Sequence, residues 1–164
     1  MLAEMSKKTQ IHRKVASAPV RYLVSTGILN DKTVLYHGEG RDQAGTELIG
    51  NVVLSVNAYD PYSPNEHTRN KSHLLQSYEI GLSVYVFNTL PRAERAKAYQ
   101  ELRDCSEAQL IVLRTDKIAG TPFEDGVITS RGTFQKSYTP LEAEIEFGGR
   151  AIYSNSNYVV LLVG

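Results

Sequence analysis

Thr33-Val34-Leu35-Tyr36-His37, running straight into Gly38-Glu39-Gly40, is the stretch on which the reading of this chain turns. The first five residues are apolar and rich in β-branched and aromatic side chains, which fits a short buried strand. Two glycines two apart then allow a tight turn in which backbone can come close to a ligand. The residues from Arg41 to Ile49 can continue as helix, whose free N–H groups would face that turn. Strand, glycine turn and helix in this order form a unit of an α/β sheet.

Working outward, Ser17 followed by Pro19 marks a helix start, and Val20, Leu23 and Val24 give it an apolar stripe that stops at Gly27. Before it, residues 1–16 are polar and basic, with Lys7, Lys8, Arg13 and Lys14, and read as a flexible arm ahead of a folded domain spanning 17–164. On the other side, residues 52–59 read as a second strand, closed by the turn-forming Asp60-Pro61-Tyr62-Ser63-Pro64. Residues 65–72 read as a surface loop. Residues 80–87 read as a third strand, followed by Asn88-Thr89-Leu90-Pro91 and an Ala/Arg/Glu-rich helix with Pro91 in its first turn.

Leu110 to Leu113 reads as one more buried strand, and residues 120–138, rich in Gly, Thr and Ser, as irregular. Pro140 to Phe147 reads as a short helix. Ala151 to Tyr153 and Tyr158 to Val163 read as a terminal hairpin across Ser154-Asn155-Ser156-Asn157. The expected fold is therefore α/β: a Rossmann-like, mostly parallel sheet with helices on both faces and a C-terminal antiparallel β-hairpin.

The 164 residues suit one domain, and 18 basic side chains balance 18 acidic ones. No global field draws the chain to nucleic acid, although the basic arm leaves a local phosphate contact open. One cysteine, Cys105, excludes an internal disulfide and fits a reducing, cytoplasmic setting. The four histidines show no metal-ligand spacing, so no metal is expected. No apolar run is long enough to span a bilayer, so no membrane partner is expected.

The candidate site gathers at the strand exits. Gly38, Glu39 and Gly40 form the turn, and Asp60, about twenty residues on, ends the second strand, where nucleotide-binding sheets place a carboxylate for ribose hydroxyls. The alternative for Asp60 is a plain turn aspartate before Pro61. Tyr85 and Asn88 leave the third strand at the same edge; the alternatives are a sheet aromatic and a helix cap. On the acceptor side, Thr133, Gln135 and Lys136 lie in the irregular stretch that can cover a pocket. His37 is a candidate proton carrier or a hydrogen-bonded structural histidine.

Taken together, the Gly-x-Gly turn, the strand ending in Asp60 and the terminal hairpin resemble class I S-adenosylmethionine-dependent methyltransferases over residues 17–164. More narrowly, Val34-Leu35-Tyr36-His37-Gly38-Glu39-Gly40-Arg41-Asp42, Tyr59-Asp60-Pro61 and Val84-Tyr85-Val86-Phe87-Asn88-Thr89-Leu90 are similar to the cofactor-binding part of methyltransferases associated with DNA phosphorothioation. The resemblance implies S-adenosylmethionine as cofactor, with Gly38 and Gly40 beside its methionine part, Asp60 on the ribose, and Pro61 and Tyr62 flanking the adenine. The chain departs from the family pattern at Tyr36, where an acidic residue is usual, and at Asp42, which stands for a third glycine. It also lacks the Asn/Asp-Pro-Pro-Tyr and Pro-Cys motifs of nucleobase methylation.

Three functions follow as expectations. The first is methyl transfer to an unidentified acceptor, with catalysis mainly by positioning. The second is a non-catalytic module that binds the cofactor and a protein partner, a role that fits an accessory protein of a phage or mobile element. The third is nicotinamide-dependent oxidation, ranked lower because Gln43 stands where the dinucleotide motif needs its last glycine.

Overall fold

The computed structural model describes residues 2–164. Its main sheet holds six strands in the order β2-β1-β3-β4-β9-β8. These are β1 (Thr33–His37), β2 (Ser55–Tyr59), β3 (Tyr78–Val84), β4 (Ser106–Arg114), β8 (Arg150–Ser154) and β9 (Tyr158–Val163). The first four run parallel, whereas β9 runs antiparallel to β4 and β8 antiparallel to β9.

Alternation along the strands divides the core in two. Val34, Tyr36, Leu82, Leu110 and Val112 face helices α2 (Ala18–Thr26) and α3 (Gln43–Gly50), where Val20, Leu23 and Ile49 are also fully buried. Leu35, Tyr59, Ile111 and Leu113 face the other side, with Leu102 of α4 (Arg92–Asp104) and Phe147 of α5 (Pro140–Phe147). A parallel sheet clad on both faces requires such continuous apolar runs. The expected Rossmann-like sheet and C-terminal hairpin are both present.

Strand order places the switch point between β1 and β3. From β1 the chain turns outward through α3 to β2, then crosses back to β3 on the other side, so the carboxyl ends of β1 and β3 diverge and leave a crevice. The return crossover, residues 60–77, contains no α-helix, only the 3-10 segment Lys71–Leu75. Parallel crossovers usually carry a helix. On the α4 side, β1 and β2 therefore have a thinner cover than the rest of the sheet.

Several local expectations are corrected. Residues 1–16, read as an arm, carry helix α1 (Leu2–Thr9). The second strand begins at Ser55 rather than Val52, because the N–H groups of Val52 and Val53 bond back to Ile49 O and prolong the α3 exit. The third strand stops at Val84: Tyr85 takes a left-handed φ of 58°, and Phe87–Thr89 form a 3-10 turn. Residues 120–138 are not irregular but form a small antiparallel sheet, β5 (Thr121–Phe123), β6 (Gly126–Ile128) and β7 (Phe134–Gln135). It is held to α4 by Arg95, a buried guanidinium that bonds Asp125, Glu146 Oε1 and Leu90 O.

Candidate functional site

The crevice at the switch point is a cleft of about 530 Å3. Gly38 and Gly40 supply its floor with φ of 74° and 65°, a region that L side chains seldom enter. Gly38 also lies against the β3 exit, since a Cβ there would stand 2.3 Å from Val86 Cγ2. Its own N–H donates to Tyr59 O at 2.6 Å, which ties the turn to the end of β2.

Asp60 closes the cleft from the β2 side. Its Oδ2 accepts from Gly40 N at 2.9 Å and its Oδ1 from Tyr62 N at 2.8 Å, so the residue is both a turn former and a neighbour of the glycine turn. Burial raises its carboxyl above the ordinary aspartate value, against the lowering effect of these N–H donors. Glu39, also buried, accepts from Thr46 Oγ1, and burial raises its carboxyl too, with the charges of Asp42 and Asp60 adding to the shift.

The two departures from the family pattern are partners. Tyr36 OH donates to Asp42 Oδ2 at 2.8 Å, and Asp42 Oδ1 accepts from Gly45 N at 3.1 Å, which makes Asp42 the N-cap of α3. The helix thus begins at Gln43, not Arg41. Burial, then the Asp42 charge, holds the Tyr36 phenol well above its ordinary value, so it stays a neutral donor. The absence of a Cβ at Gly45 leaves room for this placement of the cap, because a Cβ there would stand 2.1 Å from Asp42 Oδ2.

The structure brings most of the expected site residues together. Gly38, Glu39, Gly40, Asp60, Pro61, Tyr62, Tyr85 and Asn88 all line the cleft, as do His37 and Gln135. Asn88 does not cap the following helix, whose N-cap is Pro91, but donates from Nδ2 to Gln135 Oε1 at 3.2 Å. Tyr85 combines a strained backbone with a phenol pushed up to about 12 by burial. Thr133 and Lys136 are the exceptions. Thr133 is turned into the small sheet, paired with Thr129, and Lys136 is held by Asp125 at 2.9 Å, so neither reaches the cleft. Cys105 is buried behind α4, with its thiol pushed up to about 11 by burial.

Other lining residues were not among those expected at the site. Gln10, just beyond α1, donates from Nε2 to Tyr62 O at 3.2 Å and to Asp60 Oδ2 at 3.4 Å, and Arg13 and Ser17 stand beside it in the wall. From α4 come Glu94, Lys97, Ala98 and Glu101, whose i, i+3, i+4, i+7 spacing puts them on one helix face. That stripe is visible in the sequence, but it reads as a solvated face until α4 is set against the cleft.

Buried polar atoms without partners concentrate here. Among the described residues they include Gln10 Oε1, Ser17 Oγ, His37 Nδ1 and Asn88 Oδ1, all belonging to residues of the cleft wall. Ser17 holds the N-cap position of α2 yet makes no capping bond. Such atoms are costly unless something supplies their hydrogen bonds, and their clustering makes this cleft the candidate ligand site.

No protein-family model matches the sequence, and no curated protein matches it. Solved structures do match in shape. The complex of DhpI with SAH aligns with a TM-score of 0.61 and 12% identity, over 88% of this chain and 82% of that one. The fold is that of class I, Rossmann-like methyltransferases. A 1,6-didemethyltoxoflavin-N1-methyltransferase from Burkholderia thailandensis, bound to 1,6-didemethyltoxoflavin and S-adenosylhomocysteine, gives 0.61 and 11% over 88% and 76% of the two chains. Magnesium protoporphyrin IX methyltransferase from Synechocystis, bound to SAH, gives 0.53 and 14% over 88% and 79%. Among the described residues no helix is long and apolar enough to cross a membrane.

Proposed function

We propose that the chain is an S-adenosylmethionine-dependent methyltransferase that holds its cofactor in the β1–β3 cleft. The observation that carries this reading is the coincidence of the glycine turn, Asp60 and the unpartnered polar atoms in one crevice of a methyltransferase fold. When bound, S-adenosylmethionine supplies an electrophilic methyl group on a sulfonium. Gly38 and Gly40 admit its methionine part, Asp60 accepts from the ribose hydroxyls, and Pro61 and Tyr62 flank the adenine. Glu39, Asp42 and Asp60 give this end of the cleft the negative charge that a cationic ligand needs. Tyr85 and Asn88 border the reacting end. Residues 17–164 form the binding domain, and the segment 1–16 adds a wall to it.

Calorimetry with S-adenosylhomocysteine on the full chain tests the reading. Binding is expected, and Asp60→Asn should weaken it about 10- to 100-fold by removing a charged acceptor. No heat of binding would discard the proposal, and a thermal shift with NAD in its place would favour an oxidoreductase. Binding without transfer to any acceptor would identify the non-catalytic module. The narrower likeness to phosphorothioation-associated methyltransferases rests on residue runs alone.

A further inference from the structure

His37 is set apart from the other cleft residues by what it touches. It lies at the last position of β1 with only 3% of its surface exposed, and its Nε2 is 2.7 Å from Glu101 Oε1 on α4. Its other ring nitrogen, Nδ1, is buried and has no partner. The large majority of buried side-chain polar atoms have a partner. A carboxylate on one nitrogen, with the other buried and unpartnered in a residue that lines a cleft, is instead the arrangement of a histidine that receives a proton while the carboxylate fixes its tautomer and balances the charge. Asp60 and Tyr59 are the other titratable groups facing the ring.

The thin crossover gives this pair its own approach. Beside the cleft runs a groove lined by Leu74, Lys97, Gln100, Glu101 and Asp104, which shares Lys97 and Glu101 with the cleft itself. It lies between the 3-10 segment Lys71–Leu75 and α4, where a crossover helix would otherwise sit. Its mixed charges, in a chain of zero net charge, suit a small polar molecule and not a phosphate backbone.

Building on the methyl-transfer reading, we propose that His37 and Glu101 are the proton-accepting pair of the site, serving a small-molecule acceptor with an O–H or N–H that enters along α4. His37 takes the acceptor's proton onto Nδ1 as the acceptor's lone pair bonds to the methyl carbon and the carbon–sulfur electron pair stays on sulfur. Glu101 offsets the imidazolium through Nε2. The charge lost by the sulfonium thus reappears on the ring.

Long-range 1H–15N NMR of the full chain tests the first half. His37 is expected to carry its proton on Nε2 with Nδ1 bare, and a proton resident on Nδ1 overturns the proposal. The second half uses S-adenosylmethionine labelled in its methyl group and a cell lysate split by ultrafiltration. Label should enter the small-molecule filtrate, and His37→Asn should slow that transfer about 10²- to 10⁴-fold at saturating S-adenosylmethionine. Glu101→Gln should slow it less and flatten its rise with pH. Label in the macromolecular retentate alone or in neither fraction, or a His37→Asn chain at the wild-type rate, overturns it. Loss of S-adenosylhomocysteine binding in the unaltered chain is a different failure, that of the methyl-transfer reading itself.

Discussion

Replacing Gly38 by alanine probes the geometry that makes the cleft. The residue sits at φ 74°, so any Cβ meets the left-handed penalty of roughly 1–2 kcal/mol. The added carbon would also stand 2.3 Å from Val86 Cγ2, well inside the 3.4 Å at which ordinary contact begins. Turning Val86 gives only partial relief, because its Cβ stays at 3.2 Å, still closer than ordinary contact. Separating the β1 and β3 exits adds an overpacking cost of about 1–3 kcal/mol. The total, about 2–5 kcal/mol, lowers the urea midpoint by about 1 M or more at ordinary m-values. Val86→Ala removes both methyl groups but not the backbone penalty, so the double variant should recover part of the loss, with a coupling of about 1 kcal/mol or more. An unchanged midpoint for Gly38→Ala, or a double variant equal to the sum of the two singles, would refute the close approach of the two strand exits.

Tyr36→Phe should cost about 1.5–3 kcal/mol, since it strips a donor from the buried Asp42 carboxylate; in an Asp42→Ala background the same change should cost far less, as a double-mutant cycle in urea will show. Burial raises Glu39 above its ordinary 4.5, so the folded chain keeps that proton to higher pH than the unfolded chain does. Its contribution to stability is whole below 4.5 and is lost as pH rises through the folded value, so Glu39→Gln should lose less stability than the wild type over that rise. Urea midpoints measured from acid to neutral pH that fall in parallel for the two proteins would contradict this.

Legibility in the sequence follows the length and purity of each signal. The first strand and the last keep the bounds read from their apolar runs, as does α5, whose Thr139 and Glu142 form a capping box. Ser106 and Glu107 open β4 although they are polar, because pairing with β3, which the sequence does not display, makes them strand. The strands of the small sheet are two or three residues long, too short for any period to register. Tyr85 breaks β3 with a left-handed backbone that an aromatic side chain gives no reason to expect. Of the cleft lining, the residues on the strand exits were readable because turn chemistry is local. Glu101 was not, since its link to His37 spans 64 positions and exists only once α4 lies against β1. Thr133 and Lys136 misled because polar residues on a loop look free until their neighbours Thr129 and Asp125 are known.

The bond from Gln10 to the Asp60 carboxylate makes the beginning of the chain answerable for the middle. Trimming the first dozen residues, a routine step for an end that looks dispensable, would open one wall of the cleft and bare a carboxylate without touching the sheet. If the cleft holds the proposed cofactor, a chain so shortened would misreport its affinity while its sheet stays intact.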